Sequence, residues 1–263
     1  MLGRDLVPLL AVDHEVTAVD LDVDVTDPRA VDACVAACRP EAVFHLAAWT
    51  DVDGAEEREV DALVVNGVGT ANVARAAERA GAALVVVSTD YVFDGTQSPY
   101  GEDAPVAPIG AYGRSKLAGE EAATAEHPKG TRIARTAWLY GEHGPNFVDT
   151  MRRLGAERDE VRVVADQEGC PTWTRDLAPA LVALVNLPPG VYHTAGAGSV
   201  TWAGLAEAVF AVAGLTCRVV PVSTEEFGRP APRPARSVLA ATKPDAPRLR
   251  HWREALVDYL REH

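Results

Sequence analysis

The sequence predicts an α/β fold built on a doubly wound parallel sheet, and three observations predict it. Strand-like and helix-like segments alternate through the first half of the chain at the spacing of strand–helix–strand units. The strongest apolar run, ALVVVSTDYVF, carries consecutive β-formers and ends in hydroxyl residues. Hydrophobic residues make up 48% of the 263, enough for a large core and too many for a disordered chain.

Each element follows from its own pattern. EVTAVDLDV reads as a short strand ending in acids. DPRAVDACVAACR has an Asp N-cap, a Pro in the first turn and apolar residues at helical spacing. EAVFHLAA reads as a strand buried on both faces. VVNGVGTANVARAAERAG is an Ala-rich helix closed by Gly81, and YGRSKLAGEEAATAEH is a second helix. GTRIARTAWLYG is again strand-like. Right-handed crossovers wind such units into one sheet whose ligands lie at the carboxyl ends of the strands. From about residue 145 the rhythm loosens into NFVDTMRRLGAERDE, RDLAPALVALVNL, TWAGLAEAVFAVAG and a final helix, WREALVDYLREH, around a Pro/Arg-rich stretch. The expected division is 1–145 for dinucleotide binding and 146–263 as a smaller substrate lobe, with some later strands returning to the main sheet.

Bulk properties narrow the function. A formal net charge of −13 argues against nucleic acid or an anionic membrane as the main partner. No apolar run approaches the ~18 residues of a membrane span, and the first ten residues lack a signal-peptide core, so a cytoplasmic location is expected. Cys34, Cys38, Cys170 and Cys217 are too few for a disulfide framework and are expected as buried small residues. No histidine stands near Cys34 and Cys38 to complete a zinc site, and no metal is expected.

Three stretches carry chemistry. In AYGRSKLAG, Tyr112 and Lys116 are four apart and share a helix face. A phenol titrates near 10, and a neighbouring ammonium favours its anion, so Lys116 is expected to lower the Tyr112 pKa. In VVVSTDYVFDG, Ser88 and Thr89 stand where a strand ends, placed to hydrogen-bond a substrate carbonyl and the Tyr112 oxygen. In FHLAAWTDVDGAEE, Ala47 and Ala48 leave room at a strand end for a flat ring, and Asn66 in the next helix could hold water or backbone near Lys116.

STDYVFDG, YGRSKLAGE, RTAWLYG, NFVDTM, RVVADQEGCPTWTRDLA, GVYHTAGAGSVTW and RPARSVL together resemble the dTDP-4-dehydrorhamnose reductase family, within the extended short-chain dehydrogenase/reductases. The resemblance spans nearly the whole chain and implies a Rossmann-like fold, a dTDP-4-ketosugar substrate and NADPH or NADH as cofactor. It implies that Thr89 orients the C4 carbonyl, Tyr112 donates its proton to that oxygen, and Lys116 holds the nicotinamide ribose. Ser88, Ala47, Ala48 and Asn66 would lie on the cofactor side. Asp90 and Tyr91 would line the sugar site, Trp138 would pack on the sugar, and Arg233 would meet the diphosphate. Arg236 stands where the family often has Asn. Such proteins can form homodimers. The alternatives are another nucleotide-sugar ketoreductase or epimerase, or a non-catalytic regulatory subunit of the same fold, as in the relative serving methionine adenosyltransferase; the Thr89, Tyr112 and Lys116 set opposes the non-catalytic one here.

The resemblance also places Gly3 as the last glycine of G-x-x-G-x-x-G, with the preceding strand and two glycines absent from the sequence. A start site placed late is expected in preference to a shortened protein, because every later element is intact. Asp20, at the end of the second predicted strand, favours the 2′-hydroxyl of NADH, whereas Arg4 could reach the 2′-phosphate of NADPH. Asp24 matches a position beside the adenine.

Overall fold

The apolar run Ala83–Thr89 is an inner strand of a four-stranded parallel sheet in the computed structural model, which describes residues 1–263. In chain order, helices α1 (Leu2–Leu10) and α2 (Pro28–Cys38) precede strand β1 (Ala42–His45). Short helices α3 (Val52–Glu57) and α4 (Glu59–Leu63) run into a π-helical segment, Val64–Gly69, and then α5 (Thr70–Ala80). Next come β2 (Ala83–Thr89), a 3-10 turn at Asp90–Val92, α6 (Ala111–Glu126) and β3 (Thr131–Thr136). β4 (Leu139–Tyr140), α7 (Phe147–Glu157), β5 (Glu160–Val164), β6 (Glu168–Gly169) and β7 (Thr172–Trp173) follow. The chain ends with α8 (Thr174–Leu184), β8 (Gly190–His193), β9 (Val200–Thr201), α9 (Trp202–Ala213), β10 (Arg218–Val222), α10 (Thr224–Phe227) and α11 (Trp252–Glu262).

The main sheet runs β1-β2-β3-β8, every pair parallel. Alternation along β2 divides two cores. Leu84 and Val86 pack with Val31, Val73, Ala77 and Ala123 beneath α2, α5 and α6. Val85 faces the other way, towards Leu2 and Leu6 of α1 and Leu177 and Leu181 of α8. Helices therefore cover both faces, and each fully buried Leu or Val contributes about 1.5–3 kcal/mol. The largest cluster lies apart, where α7, α9 and α11 enclose Phe210, Leu205, Trp173 and Tyr259 beside the β5–β10 pair.

Two strand expectations change. Residues 15–23 form no strand, and Leu21 is 96% exposed. A strand needs a partner for its N–H and C=O groups, and this segment has none. β1 is consequently an edge strand, half-buried at Ala42, Val43 and Phe44 where burial on both faces was expected. The cysteines divide as well: Cys170 and Cys217 are buried, whereas Cys34 is half-buried and Cys38 exposed, because both lie towards the outer side of α2. No helix is long and apolar enough to cross a membrane.

Candidate active site

The site forms where β2 ends against the first half of α6. Helix α6 begins without a side-chain cap of its own. Instead Glu56, at the end of α3, accepts a hydrogen bond from the Ala111 N–H at 2.7 Å, placing a carboxylate at the positive end of the helix. The helix then lies unusually close to backbone at two points. A Cβ on Gly113 would stand 2.2 Å from the Tyr91 carbonyl oxygen, and one on Gly119 would stand 2.3 Å from that of Asn66. Only glycine permits either approach.

Three successive residues of β2 each dock on one face of α6, at positions spaced by four. Val87 offers its carbonyl to Lys116 Nζ at 2.8 Å. Ser88 donates its hydroxyl to Glu120 Oε1 at 2.5 Å. Thr89, almost fully buried, lies by the Tyr112 phenol, whose pKa it lowers. The Thr89 hydroxyl also accepts from the Tyr91 N–H at 3.2 Å and donates to Asp90 Oδ1 at 3.1 Å. The Tyr112 ring meets Tyr91 edge-on, with centroids 5.7 Å apart.

Electrostatics at this seam differ from expectation. Burial pushes the Tyr112 phenol up to about 12; the Thr89 hydrogen bond opposes this and the Asp90 charge adds to it. The expected lowering by Lys116 is not found: the ammonium is turned to the Val87 carbonyl, and burial dominates the phenol. Lys116 itself is pulled down to about 8 by burial, against an upward push from Glu120. Burial also raises the Asp90 carboxyl to about 6, although Ser237 and Thr89 hydrogen-bond to it.

Ser88 does not join Thr89. Neighbouring residues of a strand point to opposite faces, and Ser88 is committed to Glu120 on the far side of the site. Asn66, buried in the π-helical segment, brackets the Trp49 backbone: Oδ1 accepts from its N–H at 2.8 Å and Nδ2 donates to its carbonyl at 3.1 Å. Its Nδ2 also reaches Ser115, whose hydroxyl donates to the Tyr112 carbonyl. Asn66 thus ties the loop after β1 to α6. Ala47 is exposed and Ala48 half-buried just beyond β1.

On the substrate side, the Pro/Arg-rich segment folds back over the β2 turn. Ser237 donates to Asp90 Oδ2, and Arg233 approaches the Tyr91 hydroxyl. The Arg233 guanidinium is held by Asp53 at 2.9 Å and by the Ala231 carbonyl at 2.9 Å. Trp138 adopts φ +47°, a left-handed conformation that few bulky residues take, and stacks on Trp202 with centroids 3.5 Å apart. Its ring lies against Gly169.

The N-terminal flank holds the other predicted residues less firmly. Gly3 is in ordinary contact distance of Leu46, which brings α1 beside the end of β1. Arg4 and Asp20 are exposed, and the Asp24 carboxylate is occupied by the Thr26 N–H and hydroxyl, which lower its pKa.

Sequence reasoning did not find Glu120, Arg135, Asp53 or Ser237. Glu120 had a signal, since it stands one helical turn beyond Lys116. Asp53 and Ser237 had none, because their partners lie 180 and 147 residues away.

Comparison with known proteins agrees with this architecture. The family model described as "RmlD substrate binding domain" matches residues 1–263. The chain is 45% identical to a dTDP-4-dehydrorhamnose reductase of Streptomyces griseus over 98% of this chain and 89% of that protein. It is 45% identical to a dTDP-4-keto-6-deoxy-D-glucose reductase of Streptomyces niveus over 97% and 92% of the two chains. A crystal structure of dTDP-4-dehydrorhamnose reductase from Bacillus anthracis in complex with NADP superimposes with a TM-score of 0.96 at 40% identity, covering 100% of this chain and 95% of that one. The chain belongs to the dTDP-4-dehydrorhamnose reductase family.

Proposed function

We propose that this chain is an oxidoreductase that reduces the 4-keto group of a dTDP-activated deoxysugar, foremost dTDP-4-dehydrorhamnose, with a nicotinamide dinucleotide as reductant. The observation that carries the reading is the seam at which Thr89, Tyr112 and Lys116 converge at the carboxyl end of β2. The reductases of Streptomyces griseus and Bacillus anthracis support the substrate class.

The residues present fit a dinucleotide at its nicotinamide end. Lys116 has three N–H donors and Val87 takes one, which leaves donors for ribose hydroxyls. Ala47 and Ala48 put no bulk at the end of β1, where a flat ring would lie. When bound, the dinucleotide supplies the hydride. Thr89 then turns its hydroxyl proton from Asp90 to the ketone oxygen and holds that oxygen towards Tyr112. Tyr112 gives its proton to that oxygen as charge develops there. A phenol at about 12 stays protonated through the neutral range, so the donor is always loaded. Lys116 is the cation available to stabilise the phenolate left behind. Asp90 and Tyr91 bound the sugar side, and Arg233 exchanges Asp53 for the diphosphate, a bidentate acceptor that suits its fork.

Asp20 in its acidic turn favours NADH, whereas Arg4 favours NADPH; the Bacillus anthracis relative is in complex with NADP. We assign the preference to NADH on Asp20, and a lower KM for NADPH would give it to Arg4. The reaction itself is tested by following NADH and NADPH oxidation with dTDP-4-dehydrorhamnose for wild type and Tyr112→Phe. Turnover that Tyr112→Phe abolishes supports the reading; equal inertness or equal turnover overturns it.

A further inference from the structure

The Glu120–Arg135 ion pair has no place in the chemistry above, yet it is buried at the back of the catalytic helix. Each side chain is 5% exposed. Glu120 accepts from Arg135 Nε at 2.9 and 3.2 Å, from Nη2 at 2.6 Å, and from the Ser88 hydroxyl. Arg135, on β3, also lies over the Phe93 ring at 5.2 Å, just past the Asp90–Val92 turn. Its Nη1 is buried without a partner. Burying two charges costs several kcal/mol each, and apolar residues of equal volume often serve stability as well or better. A pair that leaves one donor unmet is therefore a poor choice for stability alone.

Its placement suggests another use. Tyr112, Lys116 and Glu120 share one face of α6, and β2 meets all three through Thr89, Val87 and Ser88. A shift of α6 along β2 would have to break the Ser88–Glu120 bond. We infer that the Ser88–Glu120–Arg135 cluster is a positioning device for the reductase centre, locking α6 in register on β2 and setting a carboxylate one helical turn beyond the Lys116 ammonium. The inference rests on the reductase reading for its kinetic consequences and on geometry alone for its effect on Lys116. The other groups that bear on Lys116 are few. His45 on β1, driven down to about 3 by burial, is neutral, and Tyr112 is neutral at working pH. Arg135 lies on the far side of Glu120. Glu120 is thus the compensating negative charge, and it acts against the burial of the amine.

The test uses Ser88→Ala, Ser88→Thr and Glu120→Gln in the full chain. Only three lysines occur, so 13C-labelled lysine NMR separates Lys116 from Lys129 and Lys243 without any turnover. Glu120→Gln is expected to lower the Lys116 midpoint by roughly one pH unit. In kinetics, the alkaline limb of kcat should move the same way. The kcat should fall about tenfold or more in Glu120→Gln and Ser88→Ala, with sugar KM changed less than about threefold, and Ser88→Thr should restore it. A purely structural role would lower the urea midpoint while leaving the Lys116 titration and the pH profile in place, and that result overturns the inference. If Glu120→Gln does not fold, the Ser88→Ala and Ser88→Thr pair decides: loss of kcat with Ser88→Ala that Ser88→Thr fails to restore also overturns it. Absence of wild-type turnover would count against the reductase reading, and the lysine titration would still judge the positioning claim.

Discussion

The β2–α6 seam and the N-terminal flank are built differently. At the seam the charged groups are buried and answered, Lys116 by Val87, Glu120 by Arg135 and Ser88, Asp90 by Ser237 and Thr89, with only Arg135 Nη1 left over. On the flank, residues 15–22 are mostly exposed, β1 has a free edge, and Val12 and Leu21 are 75% and 96% exposed. A preorganised polar centre costs burial energy and needs a rigid frame. The flank has no such frame, so chemistry should depend on single atoms at the seam and only weakly on single residues of the flank.

Four substitutions break or sharpen that contrast. The largest effect is expected from Tyr112→Phe, which removes the proposed proton donor and little volume; kcat should drop about 10²–10⁴-fold with an unchanged circular dichroism spectrum. Lys116→Met should also suppress kcat, and it carries a signed effect on stability. The folded amine titrates at about 8, below its unfolded value of 10.5, so its charge destabilises the fold below pH 8 and this penalty fades between 8 and 10.5. Lys116→Met should therefore raise stability below pH 8, by at most ~3 kcal/mol, and lose that advantage at high pH; urea melts across the range check it. Arg233→Ala should raise the sugar-nucleotide KM about 10–100-fold with a smaller change in kcat, since it removes one charged, two-donor contact. Asp20→Asn should be mildest, changing the NADH to NADPH KM ratio by no more than about threefold, because an exposed charge is strongly screened. A greater loss from Asp20→Asn than from Tyr112→Phe would refute the contrast.

Much of the seam was legible in the sequence. The four-residue spacing of Tyr112 and Lys116 survives folding because a helix converts it directly into a shared face. The position of Thr89 was legible because a continuous apolar run marks a strand, and its first polar residues mark the end. Ser88 was misread for a reason the same geometry supplies: adjacent strand residues diverge, so only one of two neighbouring hydroxyls can enter the site. The strand expected at 15–23 failed because pairing is not a local property; an alternating pattern needs a neighbour before it becomes a ladder. The sign of the Tyr112 shift was missed because burial, which dominates it, cannot be read from a four-residue interval.

Two missing methyl groups govern how deep the phenol sits. At 113 and 119 the helix rests almost directly on the carbonyl oxygens of Tyr91 and Asn66, so the backbone itself is the bearing surface. A single added carbon at either point would act as a shim, tilting or lifting the rod that carries the Tyr112 phenol and the Lys116 ammonium together. Because both groups ride on one rigid support, such a shim would leave their mutual spacing intact while moving both away from the strand tip. Catalytic competence in this fold is in that sense a clearance, set by what two residues lack.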